Sequence, residues 1–183
     1  MTELDSNQTM DFPERSKRTT DETFTWDEVR KRLDEEFMNR ANYTARILLA
    51  LSEKYGDGVL DVAKKEIYEI GYEMGKRHAA TAKEKSLEHL LEIFSHKIDV
   101  LYFGFTAELF EDKFVGRMEH CPMPRQWKQM GMTDDEIVHF CSIFDHVDKG
   151  VIEGYSERYT GVNTGCRMLA EKGYCQLTAI EKS

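Results

Sequence analysis

The chain has 183 residues, of which 40% are hydrophobic and 32% charged, a composition typical of one globular domain. The formal net charge of -9 gives no electrostatic basis for binding nucleic acid or an anionic membrane surface. Four cysteines are too few for a disulfide scaffold, and no stretch approaches the roughly 18 apolar residues that a membrane span needs. We therefore expect a cytoplasmic protein whose cysteines are thiols.

Residues 1–24 are polar and lack periodicity, which predicts a flexible tail ahead of a single domain at residues 25–183. Thr25 and Glu28 have the spacing of a capping box, and apolar residues at helical spacing follow them. They predict a first helix that ends near Gly56. A second helix is predicted from about residue 57 to 80, and a third from about residue 86 through 98.

The second predicted helix carries Gly71 and Gly75 one turn apart. This spacing indicates that another element packs closely against the helix backbone. The inward stripe is predicted to include Val62, Ile70 and His78. A histidine on an apolar stripe is usually a core residue, and His78 is kept as a candidate substrate contact.

After residue 100 the pattern changes to that of strands. Residues 103–122 predict two strands around a turn at residues 111–113, followed by a short helical turn that contains Trp127. A second capping box, Thr133 to Glu136, opens a helix that should run to about Gly154. The last residues predict two more strands around a turn at residues 171–173. The order predicts an α+β fold: N-terminal helices, then a small antiparallel sheet with a helix inserted between its two hairpins.

Cys121 stands where Pro122 should end a strand. Strand ends that face a loop often present reactive groups, and a thiolate there can attack an electrophilic carbon. His120 is a poor candidate for its base, because neighbouring strand residues point to opposite faces. The alternative is a buried structural thiol.

The predicted helix after residue 134 carries two acidic residues on or beside its apolar stripe. Asp148 falls within the stripe, and Asp145 lies at its edge, four residues after Cys141 and next to Phe144. A core-facing carboxylate is costly unless it is paired, protonated or open to a cavity. Each aspartate is therefore a candidate general acid or base, or an anchor for a substrate amino group. Alternatively, Asp148 caps a chain end or pairs with a buried cation.

Metal and cofactor motifs are missing from the sequence. The cysteines show no C-x-x-C pair, and His139 and His146 lie seven residues apart, too far to share one metal. Both histidines are expected on a solvated flank. There is no phosphate loop, nucleophile elbow or dinucleotide fingerprint. We expect no metal and no cofactor.

Three segments together resemble the L-2-amino-thiazoline-4-carboxylic acid hydrolase family: HCPMPRQWKQMGM from His120, CSIFD from Cys141, and the closing strands that end at Cys175. The resemblance implies hydrolytic opening of a cyclic amidine-like sulfur heterocycle to a carbamoyl-cysteine product. The sheet and terminal cysteine are also similar to 4-vinyl reductase domains, which bind small molecules. Gly165 with Cys166, and Tyr174, depart from the family pattern.

The first interpretation is a hydrolase acting on a carbon–nitrogen bond of a cyclic amidine-like small molecule. Cys121 would be the nucleophile or would position water, Asp145 would be the base or would bind the amidinium, and Cys141 would line the same pocket. Five further residues would contact the substrate: His78, His120, Trp127, Phe144 and Asp148.

The second interpretation is a non-catalytic sensor module that binds a small molecule or a tetrapyrrole. Its pocket would be lined by adaptable apolar residues, namely Met118, Met123, Trp127, Met130 and Phe144. The third is a structural protein that forms a homo-oligomer, with Trp26, Phe37 and Leu48 of the first helix facing another subunit.

Overall fold

A computed structural model describes residues 25–163 and 173–182. Its helices and strands follow in the order α1 Trp26–Tyr55, α2 Gly58–Thr81, α3 Leu87–Phe94, α4 Lys97–Phe103, β1 Thr106–Leu109, β2 Lys113–Met118, α5 Pro122–Gln129, α6 Asp134–Phe144, α7 His146–Tyr155, β3 Tyr159–Asn163 and β4 Cys175–Glu181. This confirms the predicted α+β fold. The predicted tail at residues 1–24, Cys166 and most of the predicted turn at residues 171–173 lie outside the described residues.

The four strands form one antiparallel sheet in the order β1-β2-β4-β3. Met118 of β2 is opposite Cys175 of β4, and Gly161 of β3 is opposite Ala179 of β4. Because side chains alternate along a strand, these four residues belong to one face of the sheet. The buried side chains of Phe114, Tyr159 and Leu177 lie on that face as well, and with Ala179 they pack with α3 and α7 residues in one core cluster.

Two pairs of glycines join α2 to α7, as the spacing of Gly71 and Gly75 predicts. A Cβ at Gly71 would overlap the carbonyl oxygen of Val147, and a Cβ at Gly150 would overlap the carbonyl oxygen of Tyr68. Gly75 and Gly154 make the equivalent contacts one turn further along both helices. The two helices therefore run in parallel with their backbones in contact.

A second core cluster joins α1 to α5 and α6. Trp127 is fully buried in it, and its Nε1 donates to the carbonyl oxygen of Ala41 at 3.1 Å. Phe140 and Cys141 of α6 pack in the same cluster. The indole thus has both an apolar environment and a hydrogen-bond partner, which a buried tryptophan requires.

The third predicted helix is shorter than its periodicity indicates. It ends at Phe94, and Ile98 belongs to α4, where it is 53% exposed. The His96 side chain accepts from the Ile98 N–H at 3.4 Å and caps α4, so the chain changes direction between the two helices. As α4 continues to Phe103, the first strand begins later than predicted.

Two other predictions about the helices are wrong. The helix predicted to run from residue 134 to about residue 154 is interrupted at Asp145, which ends α6 and precedes α7. Val62 and Ile70 are 61% and 57% exposed, because α2 buries its glycine face against α7 instead.

The first helix turns much of its predicted interface toward the core. Leu48 is buried, and the Phe37 ring stacks on Tyr102 with its centroid 5.3 Å away. Trp26 is 37% exposed. Homo-oligomer formation stays a prediction. No helix within residues 25–163 or 173–182 is long and apolar enough to cross a membrane.

Candidate functional site

The sequence predicts that Cys121 ends a strand, but in the structure Cys121 begins a helix. Strand β2 ends at Met118, and Cys121 is the N-cap of α5, with extended backbone at φ -144° and Pro122 in the first turn. Proline suits this position because the first N–H groups of a helix have no partner within the helix. Burial raises the pKa of Cys121 to about 12, although the backbone N–H of Met123 acts in the opposite direction. The thiol is therefore protonated at neutral pH.

Cys121 has three titratable neighbours from other elements. Burial is the largest cause of the raised pKa of Cys121, and the charges of Cys175, Asp145 and Asp148 add to it. Cys175 begins β4, opposite Met118 of β2, while Asp145 and Asp148 belong to the start of α7. Cys121 and the two carboxylates are thus close enough to interact electrostatically.

Asp145 is the carboxylate whose pKa is most changed toward neutrality. Burial, and then the charge of Asp148, raise its pKa to about 7. Asp148 is itself half-buried and lies one helical turn further along α7. A carboxyl group with this pKa can exchange a proton at neutral pH, which is the property of a general acid or base.

A cavity of about 350 Å³ opens beside Asp145 and is lined by Ser142, Asp145, His146, Lys149, Gly161 and Val162. Gly161 keeps β3 close to α7, since a Cβ there would lie 2.9 Å from the Lys149 Cα. Lys149 Nζ is 3.8 Å from Glu153 and the side chain is 40% exposed. The cavity therefore offers a carboxyl group and an ammonium group about one helical turn apart.

His146 contributes a neutral ring to this cavity. Its Nδ1 lies 2.8 Å from the Ser142 carbonyl oxygen, which can only accept, so Nδ1 carries the proton and Nε2 keeps its lone pair. Burial lowers the pKa of His146. This residue was expected on a solvated flank, but it is half-buried and lines the cavity.

His120 binds a carboxylate of α1. Its Nε2 is 2.9 Å from Asp34 Oδ1, which also accepts from Tyr102 Oη at 2.9 Å, and Arg125 Nη2 donates to Asp34 Oδ2 at 3.0 Å. Burial acts to raise the pKa of Asp34, but the hydrogen bonds from His120, Arg125 and Tyr102 outweigh it and lower the pKa to about 2. We call these four residues the Asp34 cluster.

Four other predicted site residues, all within the described part of the chain, are not among those that line the cavity beside Asp145. Cys141 and Trp127 are buried in the core cluster of α1, α5 and α6, and Phe144 packs against that cluster. His78 is half-buried near the end of α2. Since Gly71 lies opposite Val147 on parallel helices, His78 is displaced from Asp145 by roughly 13 Å along the axis. The roles proposed for these four residues stay predictions.

Ser142, Lys149, His146 and Asp34 were not singled out as candidates from the sequence. Lys149 follows Asp145 by four residues, and this spacing on one helix face was an available signal. No local signal pointed to Asp34, because it is 86 residues away from His120. Among the described residues, no group of three or more His, Cys, Asp or Glu side chains is arranged to hold a metal ion.

The fold and this region define an α+β protein with helices on one face of a four-stranded antiparallel sheet and a thiol that interacts electrostatically with two carboxylates. A model of the L-2-amino-thiazoline-4-carboxylic acid hydrolase family matches residues 36–168, and the chain belongs to that family. The matched range begins at residue 36, well before His120. The resemblance in sequence is strongest from His120 onward.

The search of curated proteins found no significant match. Among solved structures, the chain is similar to subunit 3 of the trafficking protein particle complex from Naegleria fowleri, covalently bound to palmitic acid. The TM-score is 0.51 at 13% identity, covering 81% of this chain and 96% of that chain. At this identity the likeness shows a shared fold.

Proposed function

We propose that the protein is a small-molecule hydrolase that acts on a carbon–nitrogen bond of a cyclic amidine-like substrate, with Cys121 and Asp145 as its reacting groups. The observation that carries the proposal is the electrostatic interaction of Asp145, whose pKa is about 7, with the Cys121 thiol. Membership of a family named for hydrolysis of L-2-amino-thiazoline-4-carboxylic acid agrees with this chemistry.

The state of Cys121 determines the order of proton transfers. With its pKa raised to about 12, the thiol needs a base as it attacks, and ionised Asp145 is available at neutral pH. In the first step Sγ bonds to the amidine carbon while Asp145 accepts the thiol proton. That proton passes to the ring nitrogen as the carbon–nitrogen bond breaks.

Water completes the reaction. It attacks the carbon that is bound to Sγ, Asp145 accepts a proton from this water, and the carbon–sulfur bond breaks to return the protonated thiol. The sum is the addition of one water across the carbon–nitrogen bond, with no redox change.

Charges one helical turn after Asp145 on α7 fit a zwitterionic substrate. Asp148 lies beside Asp145 and would bind an amidinium, which would in turn favour the ionised form of both carboxylates. Lys149 lines the cavity and would pair with a substrate carboxylate. Both groups of such a substrate are present in the acid that names the family.

Turnover of L-2-amino-thiazoline-4-carboxylic acid by the purified protein tests the proposal. We expect Cys121→Ser and Asp145→Asn to lower kcat at least about 100-fold while the circular dichroism spectrum is unchanged. Asp135→Asn, an exposed change in the first turn of α6, is the matched control and should keep full activity. Full activity in both site variants would contradict the proposal.

The alternative is a non-catalytic binding module. The shared fold with a protein whose structure holds covalently bound palmitic acid favours this alternative. An acyl adduct in the intact mass of the purified protein, or a co-purifying coloured tetrapyrrole, together with no turnover, would support it. A purified protein that has an unmodified mass, is colourless and hydrolyses the substrate would exclude the binding-module alternative.

A further inference from the structure

The segment that carries Cys121 is bound on both sides to a single carboxylate of α1. His120 precedes the cysteine and Arg125 follows it by four residues, and they donate to the two oxygens of Asp34 at 2.9 and 3.0 Å. The side chains of Asp34 and His120 are each 22% exposed. Two charge-assisted hydrogen bonds in a half-buried setting constrain position more than exposed ion pairs do.

Helix α4 provides a second attachment for the same segment. The backbone N–H groups of Glu119 and His120 both donate to the Phe103 carbonyl oxygen at 3.0 Å. Tyr102, the preceding residue, donates its hydroxyl proton to Asp34 and lies edge-on to the His120 ring with centroids 5.4 Å apart. Asp34 therefore joins α1, α4 and the segment between β2 and α5.

Tyr102 of the Asp34 cluster also interacts electrostatically with Cys121. Burial, the hydrogen bond to Asp34 and the neighbouring Cys121 all raise the pKa of Tyr102. Tyr102 is 1% exposed, so its ring cannot move away without opening the core. Because Asp34 also binds His120, the residue before Cys121, a shift of Asp34 would act on the segment that carries the thiol.

We propose that Asp34 is a positioning residue that holds the segment carrying Cys121, and with it the thiol, in place. This inference rests on the proposed function for its catalytic consequence, but the position of the thiol can be measured without turnover. An apolar residue at position 34 would leave His120, Arg125 and Tyr102 without their shared acceptor, and the segment would lose its attachment to α1.

The test compares Asp34→Asn with wild type by two readouts. The first is the rate of iodoacetamide alkylation of Cys121 in the folded protein, resolved by peptide mass spectrometry, with buried Cys141 as the internal reference. We expect Cys121 to react at least about 10-fold faster in the variant while Cys141 is unchanged, because asparagine keeps the shape but weakens the bonds from Arg125 and His120. The second is hydrolysis, in which kcat should fall about 10-fold or more with little change in KM.

Glu35→Gln is the matched control, since Glu35 is the next residue of α1 and pairs only through its exposed side chain with Arg32. If wild type shows no turnover, the proposed function fails, and the alkylation readout still tests the positioning role. A purely structural role would accelerate alkylation of Cys141 and Cys121 equally.

Tyr102→Phe and Arg125→Gln each remove one hydrogen bond to Asp34, and they replace Asp34→Asn in the test if that variant does not fold. We expect each to accelerate alkylation of Cys121 selectively, by a smaller factor than the aspartate change. Folded variants with unchanged Cys121 alkylation would overturn the proposal.

Discussion

Gly71 of α2 lies directly against the carbonyl group of Val147 in α7, with no room for a Cβ between them. Val147 follows Asp145 by two residues, so this contact determines how α7 begins and where its carboxylates lie relative to Cys121. The candidate site therefore depends on a backbone contact between two helices that flank it.

Gly71→Ala should destabilise the fold. The added methyl would overlap the Val147 carbonyl, and two packed helix backbones cannot separate without opening the core on both sides. We expect a loss of at least about 2 kcal/mol in the free energy of unfolding in urea. Gly58→Ala is the control, because Gly58 is also helical but has open space around it, and its change should be neutral or slightly stabilising. Equal effects of the two changes would contradict the tight contact.

Asp145 should make the protein less stable as the pH rises toward neutrality. The pKa of Asp145 is about 7 in the folded protein, whereas its ordinary value is 3.8. At a pH between these two values, the unfolded chain releases a proton that the folded protein retains. The contribution of Asp145 to the free energy of unfolding is complete below about pH 4, and it is lost as the pH rises through about 7. Asp145→Asn should remove this dependence and be more stable than wild type by about 1–3 kcal/mol at pH 8. Urea unfolding at pH 5 and pH 8 measures the difference.

The pH dependence of hydrolysis gives a separate prediction about the two aspartates. If ionised Asp145 is the base, kcat/KM should increase with pH and level off above about 7. Asp148→Asn should move this limb to lower pH, because the charge of Asp148 contributes to the raised pKa of Asp145. If the rising part of the pH profile does not move in this variant, it reports the ionisation of a group other than Asp145.

Cys121 should be unreactive in the folded wild-type protein. Because burial raises its pKa to about 12, the thiolate fraction at pH 8 is far below that of an ordinary cysteine. We expect iodoacetamide to alkylate Cys121 at least about 100-fold more slowly in buffer than in denaturing urea. Rapid labelling in buffer would indicate a preformed thiolate, and Asp145 would then have no thiol proton to accept.

Asp34 should stabilise the protein in a way that acid removes. Its pKa is lowered to about 2 from 3.8, so its contribution is full above about pH 4 and disappears as the pH falls through about 2. Asp34→Asn should be less stable than wild type by about 1–2 kcal/mol at pH 5, and the gap should shrink at pH 2. Thermal unfolding at both values tests this, and a gap that is constant with pH would exclude the ionic bonds as its cause.

Local signals in the sequence were sufficient for most of the architecture. Both predicted capping boxes are present, with the Thr25 and Thr133 side chains accepting from residues three further on. The glycine spacing of α2 correctly indicated close backbone packing. The same signals failed at Asp145, because a periodic apolar stripe continues through a one-residue interruption of the helix.

The sequence by itself determined most of the helices, the position of the first helices ahead of the first strands, and the two residues, Cys121 and Asp145, on which the proposal rests. These follow from capping, periodicity and the cost of a carboxylate on an apolar stripe, all of which act within a few residues along the chain. Only the tertiary structure decided that His120 binds Asp34, that Trp127 lies in the core and that Lys149 lines a cavity with Asp145. Such contacts join residues far apart in sequence, and they depend on how the helices pack against the sheet and against one another.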